Sequence, residues 1–97
     1  MAIGVITEID EGTLDQYDQV HEKIAAGGPA DGVIGHLAGA KEGGGFRIID
    51  IYESEDAYKR FREERIGPAV TEVVGADARP AKEEVFEVHN MELPGQG

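Results

Sequence analysis

Three side chains, His36, Asp50 and Tyr52, combine types and spacing that suit proton chemistry. They fall in two apolar runs separated by Ala40-Lys41-Glu42-Gly43-Gly44, a hairpin turn by composition. With that turn centred near Gly43, residues whose numbers sum to about 86 stand opposite one another in an antiparallel pair. Ile34 then faces Tyr52, His36 faces Asp50, and Ala38 faces Ile48. Directly opposed residues have Cβ atoms about 5 Å apart, which is hydrogen-bonding reach for His and Asp. A carboxylate on one ring nitrogen fixes the tautomer and stabilises the imidazolium. The other nitrogen can then take a proton from a phenol or an acidic carbon. Tyr52, two residues along the same face, can donate a hydrogen bond to a ligand oxygen. Base, orienter and donor together make a constellation for proton abstraction. A His–Asp pair also serves as a satisfied polar group that fixes one packing register. Tyr52 alone also reads as core or interface, so both roles stay open at this level.

Other candidates carry less. In the last strand Glu87 and His89 alternate with Phe86 and Val88. With the apolar two against the helices, His89 shares the broad face of His36. It then lines a pocket or, on an outer strand, meets a partner chain. His21 is one step off the apolar stripe of the first helix and is expected to be half exposed and inert. His36, Asp50, Glu87 and His89 supply the ligand types of a facial metal triad. No HxxE or HxH spacing accompanies them, and no metal is expected. Lys59, Arg60, Arg62 and Arg65, among Glu63 and Glu64, read as a solvated helix face. The runs Gly27-Gly28 and Gly43-Gly44-Gly45 lack the context of a phosphate loop. Ser54, the only serine, stands in no nucleophile elbow and reads as a helix cap.

The elements that must position these groups follow from pattern. Ala2 to Ile9 reads as a strand. Thr13 to Ala26 reads as a helix, opened by the capping box Thr13-Leu14-Asp15-Gln16, with Leu14, Tyr17, Val20 and Ile24 on one stripe. Gly32 to Gly39 and Gly45 to Glu53 form the hairpin strands. Ser54 caps a second helix whose Ala57, Tyr58, Phe61, Ile66, Val70 and Val73 can face a sheet. Pro68 is expected to kink or split it, and Gly75 to stop it. Gly75 to Lys82 reads as a loop, Glu84 to Glu92 as the last strand, and Leu93 to Gly97 as a loose tail. The order β-α-β-β-α-β is the ferredoxin-like arrangement, with strands expected in the spatial order 4-1-3-2 and both helices on one face.

The third strand tests that plan. Ile48, Ile49 and Ile51 make both of its faces apolar, and a strand with one wet face should alternate. Two helices cover one face, so a second copy of the chain is the expected cover for the other. Of the two sets of hairpin residues, Val33, Gly35, Leu37, Ile49 and Ile51 are wholly apolar and are expected against the helices. The mixed set holding His36 and Asp50 is expected on a cavity or dimer face.

Composition sets the outer bounds. The chain has 97 residues, which suggests a single domain spanning residues 1–97. There is no cysteine, hence no disulfide framework and no thiol nucleophile. Twenty acidic against nine basic residues give a net charge of −11, which argues against nucleic acid and anionic membrane surfaces. No segment has the length of a membrane span, and the first residues read as a strand rather than a signal peptide. A cytoplasmic location is the default expectation.

The run Ile48-Ile49-Asp50-Ile51-Tyr52-Glu53-Ser54-Glu55-Asp56-Ala57-Tyr58-Lys59-Arg60-Phe61 resembles the third strand and second helix of the dimeric α+β barrel superfamily. It is similar in particular to small proteins grouped with the antibiotic biosynthesis monooxygenases. The shared pattern is an aromatic, an acid, a Ser-type cap, acids, then Ala with an aromatic. The resemblance implies an α+β, ferredoxin-like fold whose four-stranded antiparallel sheet packs on that of a twin to form a dimeric barrel. Members include cofactor-independent quinol-type monooxygenases, haem-degrading enzymes, isomerases and stress-response proteins. Haem-degrading members use a histidine on the second helix and a tryptophan on the third strand. This chain has no His from Tyr58 to Val74 and no Trp, and Tyr52 takes the Trp position. The expectation is a homodimer that binds a small apolar or aromatic ligand without a cofactor. Ile6, Ile34, Ile48, Tyr52 and Phe61 would line its pocket, with His89 near by. Its chemistry would begin with proton removal by His36, oriented by Asp50, and continue with oxygen. The alternatives are a non-catalytic binding or accessory dimer, or an isomerase or cyclase.

Overall fold

The computed structural model describes residues 1–76 and 81–92. Its elements run β1 (Ile3–Ile9), α1 (Leu14–Ala26), β2 (Val33–Ala40), β3 (Phe46–Tyr52), α2 (Glu55–Phe61), a π-helical turn (Arg62–Ile66), α3 (Gly67–Val74) and β4 (Lys82–Glu87). All pairings are antiparallel, in the order β2-β3-β1-β4. This is the expected ferredoxin-like order, read from the other edge. The expected tail, Leu93 to Gly97, and part of the loop before β4 lie outside the described residues.

Local chemistry accounts for the boundaries. The Gln16 N–H donates to Thr13 Oγ1, and the Thr13 N–H donates to Gln16 Oε1, each at 3.2 Å, so the capping box opens α1. Ser54 Oγ accepts from the Ala57 N–H at 3.1 Å and opens α2. In the β2–β3 turn Gly45 has φ +77, and a Cβ there would lie 2.1 Å from the Ile9 carbonyl oxygen. Only glycine fits that approach of the turn to β1.

Pro68 does not break the second helix. A proline lacks the N–H of a regular turn, and its ring collides with the carbonyl four residues back. The chain widens to a π-turn just before it, where the Gly67 N–H bonds the Arg62 carbonyl five residues back. Pro68 then enters α3 in its first turn, where no donor is missed. The π-turn also aims Arg65 at α1. Its guanidinium donates to the carbonyls of Ile24, Gly28 and Pro29, which lie at and beyond the C-terminal end of that helix.

Two expectations about the sheet are corrected. The covered face is not the wholly apolar one. Register and alternation put Ile3, Val5, Phe46, Ile48, Asp50, Tyr52 and His36 on the helix side. There Ile3, Val5, Tyr52 and Tyr58 form the core, with Val33 and Phe61 against it. Ile6, Ile49, Ile51, Leu37 and Phe86 lie on the opposite face. Aromatic bulk decides this, because Tyr52 packs on Tyr58 and Phe61 with ring centroids 5.2 and 6.1 Å apart. The second correction is local. A bulge falls between Val33 and Gly35, so Val33, not Ile34, pairs with Tyr52. Beyond the bulge the expected pairs His36–Asp50 and Ala38–Ile48 are present.

Candidate functional site

Asp50 lies in the middle of the covered face and is 8% exposed. Its neighbour on β1 is Val5, which offers no polar group. Its neighbour on β2 is His36, whose Nδ1 lies 2.5 Å from Asp50 Oδ1. A buried carboxylate needs such a partner. An ionised carboxylate has no proton to give, so Nδ1–H is the donor and Nε2 keeps the free lone pair of the neutral ring. That lone pair is met from α1, where the Tyr17 hydroxyl lies 2.5 Å from Nε2. A chain of three groups, Tyr17–His36–Asp50, thus runs from the helix layer into the sheet.

Rings hold it in place. Tyr17 and His36 stack at 6.0 Å with planes 7° apart. His21, one helical turn after Tyr17, stacks on both, at 5.7 Å from Tyr17 and 5.6 Å from His36. Phe46 meets Tyr17 edge-on at 5.7 Å. Because β2 is an edge strand, the His36 side chain remains 34% accessible while Asp50 is enclosed. The cluster is therefore reachable from solvent at one rim.

The charges follow the geometry. The hydrogen bond to Asp50 raises the His36 pKa above its usual 6.5, with the Asp50 charge adding to it and desolvation opposing. Burial raises that of the Tyr17 phenol, assisted by the charges of Asp50 and Asp18, so it stays protonated at neutral pH. Burial likewise pushes the Tyr52 phenol up. A second polar group lies nearer β4, where Tyr58 donates to Glu83 and Arg62 donates to Tyr58 at 3.0 Å.

Of the sequence-derived residues, His36 and Asp50 meet as expected. Tyr52 shares their face but is 1% exposed, packed as core. Phe61 packs against it. Ile48 is one cross-strand row from Asp50 on the covered face. Ile6 is on the other face, paired with Ile49, so it does not share a pocket with His36. Ile34 is displaced by the bulge and exposed. His89 lies beyond the end of β4 and is exposed; β4 ends at Glu87, short of the expected Glu92. Phe86, expected against the helices, lies over Gly4 on the opposite face, where a Cβ on Gly4 would come within 2.3 Å of its ring. Sequence reasoning missed Tyr17 and His21 as parts of the site. The available signal was a hydroxyl-bearing ring on the inward stripe of α1, with a histidine four residues later.

Depressions in the surface lie elsewhere. One, on the face away from the helices, is lined by Leu37, Lys41, Arg47 and Ile49, and another by Met1, Ile3, Ser54 and Glu87. Among the described residues no group of three or more His, Asp or Glu side chains is placed to hold a metal ion, and no helix is long and apolar enough to cross a membrane. The Tyr17–His36–Asp50 chain joins a phenol, an imidazole and a carboxylate by two contacts, an arrangement along which a proton can in principle be held or passed.

No protein-family model and no curated protein matches this chain. Solved structures do. A point mutant of SnoaB, a cofactor-independent oxygenase from Streptomyces nogalater, aligns with a TM-score of 0.65 and 16% identity over 96% of each chain. A Caulobacter crescentus protein assigned to the antibiotic biosynthesis monooxygenases gives 0.71 and 18%, over 92% of this chain and 91% of that one. A dimeric ferredoxin-like protein of unknown function from Thermobifida fusca gives 0.65 and 18%, over 91% and 92%. At these identities the likeness is one of fold, the fold expected from the resemblance of β3 and α2.

Proposed function

We propose that this chain is a small-molecule-binding homodimer that takes a proton from a hydroxylated aromatic or polyketide-like substrate and lets the resulting anion react with dioxygen, without a bound cofactor. The carrying observation is the His36 Nδ1–Asp50 contact of 2.5 Å beneath the helices. An orienting carboxylate leaves Nε2 as the base and stabilises the imidazolium that forms. Loss of a proton from an acidic methylene between aromatic rings gives an electron-rich carbanion. Dioxygen oxidises that carbon. One oxygen atom becomes the new carbonyl, and the other leaves as water with the two hydrogens of the methylene. The shared fold of SnoaB supports this reading.

The homodimer is supported by the uncovered sheet face, where Leu37, Ile49, Ile51 and Phe86 gather without helices over them. Its edge is charged. Arg47 donates to Glu8, holding the Glu8 carboxyl below its usual range, and Lys41 donates to Asp10 at 2.5 Å. An apolar centre with a polar rim is the anatomy of an interface, and the Thermobifida neighbour is dimeric.

An oxygen electrode with a panel of quinols and anthrones tests the activity. The parent should consume oxygen, and His36→Gln and Asp50→Asn should each slow it by at least about 100-fold while remaining folded. A parent inert towards the panel overturns the oxygenase reading. Substrate turnover without oxygen uptake would mark an isomerase or cyclase. A second reading, a non-catalytic binding protein, is favoured by the rings of Tyr17 and His21 packed over His36. It expects no turnover in the parent and a large fall in melting temperature for His36→Gln.

A further inference from the structure

Proton removal by His36 needs the Nε2 lone pair, and that position is already occupied. The Tyr17 hydroxyl lies 2.5 Å from it, and Nδ1 is committed to Asp50. The Tyr17 ring is held by stacking on His36 and His21 and by the edge of Phe46. It also belongs to the inward stripe of α1, whose first backbone bond, the Tyr17 N–H to the Thr13 carbonyl at 3.0 Å, anchors its own residue. A ring fixed from several sides is a poor gate and a good conduit.

Resting on the proton-abstraction reading above, we infer that the substrate meets the Tyr17 hydroxyl rather than Nε2, and that the proton passes through the Tyr17 oxygen. The substrate proton moves to that oxygen as the tyrosine's own proton moves to Nε2. His36 becomes an imidazolium paired with Asp50, Tyr17 ends neutral as it began, and the substrate is left as the anion. No electron enters or leaves the protein. The proton returns by the same route to the oxygen that departs as water. Burial and the neighbouring carboxylates keep the phenol protonated in the resting state, as a relay requires. Tyr17 is then a catalytic residue and His36 acts through it.

Anthrone, with one acidic methylene, is a usable probe. Exchange of that methylene with deuterated water, followed by NMR without oxygen, reads proton transfer alone, and oxygen uptake reads the complete reaction. Tyr17→Phe keeps every ring contact and removes one oxygen atom. It should lower exchange and oxygen uptake together by at least about tenfold, in kcat rather than KM. Exchange that is unchanged or faster in Tyr17→Phe, with an active parent, overturns the relay and leaves the His36 reading intact. A parent that neither exchanges nor takes up oxygen overturns both. Should Tyr17→Phe fold poorly, 3,5-difluorotyrosine at position 17 retains the hydroxyl and makes it more acidic. The relay then expects the exchange rate to change by roughly threefold or more, and an unaltered rate overturns it.

Discussion

On the helix-covered face of the sheet, Tyr52 and Asp50 are almost wholly enclosed; on the opposite face, Leu37 is 60% exposed and Phe86 45%. The enclosed face carries its central polar groups in pairs. It holds a carboxylate, an imidazole and, from the helices, two tyrosine hydroxyls engaged with His36 and Glu83. Polar groups tolerate cover when each has a partner, and among the described residues no buried side-chain nitrogen or oxygen lacks one. The open face joins apolar side chains, Ile6, Leu37, Ile49, Ile51 and Phe86, which need only exclusion of water, to the charged Glu8, Arg47, Lys82 and Glu84. Cover within this chain thus goes to the face with aromatic bulk and paired polar groups, while Leu37 and Phe86 on the other face stay exposed.

The most direct test of that contrast is to truncate one side chain on each face. Tyr52→Ala should cost about 4 kcal/mol in urea unfolding, as expected for emptying a packed aromatic site. Leu37→Ala should cost under about 0.5 kcal/mol in dilute protein. Equal losses would mean the two faces are not different in kind.

Next in size is the response of the open face to charge. Ile49→Asp should weaken self-association by roughly 100-fold, seen as a halved mass in light scattering after size exclusion. A wild-type chain that is monomeric at every concentration would remove the twin from the account.

The covered face should answer to pH instead. The folded His36 keeps its proton above pH 6.5, where the unfolded imidazole has released it. Between 6.5 and the raised folded value the native state binds more protons, so stability falls as pH rises through that window and is fully present below it. Melting curves from about pH 5.5 to 8.5 should show this decline in the parent and lose it in Asp50→Asn. A decline of equal slope in Asp50→Asn would detach His36 from Asp50.

The smallest effect belongs to neither face. Lys59 pairs with Glu55 at 3.1 Å on the outer side of α2. Lys59→Ala should lower the unfolding free energy by no more than about 0.5 kcal/mol, since exposed pairs one turn apart are weak. A larger loss in urea unfolding would show that the helix layer's outer surface takes part in the packing.

Much of this molecule could be read along the chain. Thr13 with Gln16, Ser54 and the glycines of the hairpin carry short-range signals, and each acts where expected. The His36–Asp50 pairing was also legible, because a turn of known centre leaves few registers. The bulge at Ile34 was not, since an extra residue in an edge strand leaves no mark in an apolar run. Nor was the π-turn, as Pro68 alone points equally to a kink.

Element order, caps and the cross-strand meeting of an imidazole with a carboxylate follow from contacts only a few residues apart, or one hairpin apart, so the order of side chains is enough to settle them. Which face of the sheet the helices take, and that Tyr17 and His21 close over His36, depend on packing between segments far apart in the chain. Alternation along a strand marks two faces without labelling either. Only the fit of Tyr52 against Tyr58 and Phe61, and of α1 against β2, chooses between them.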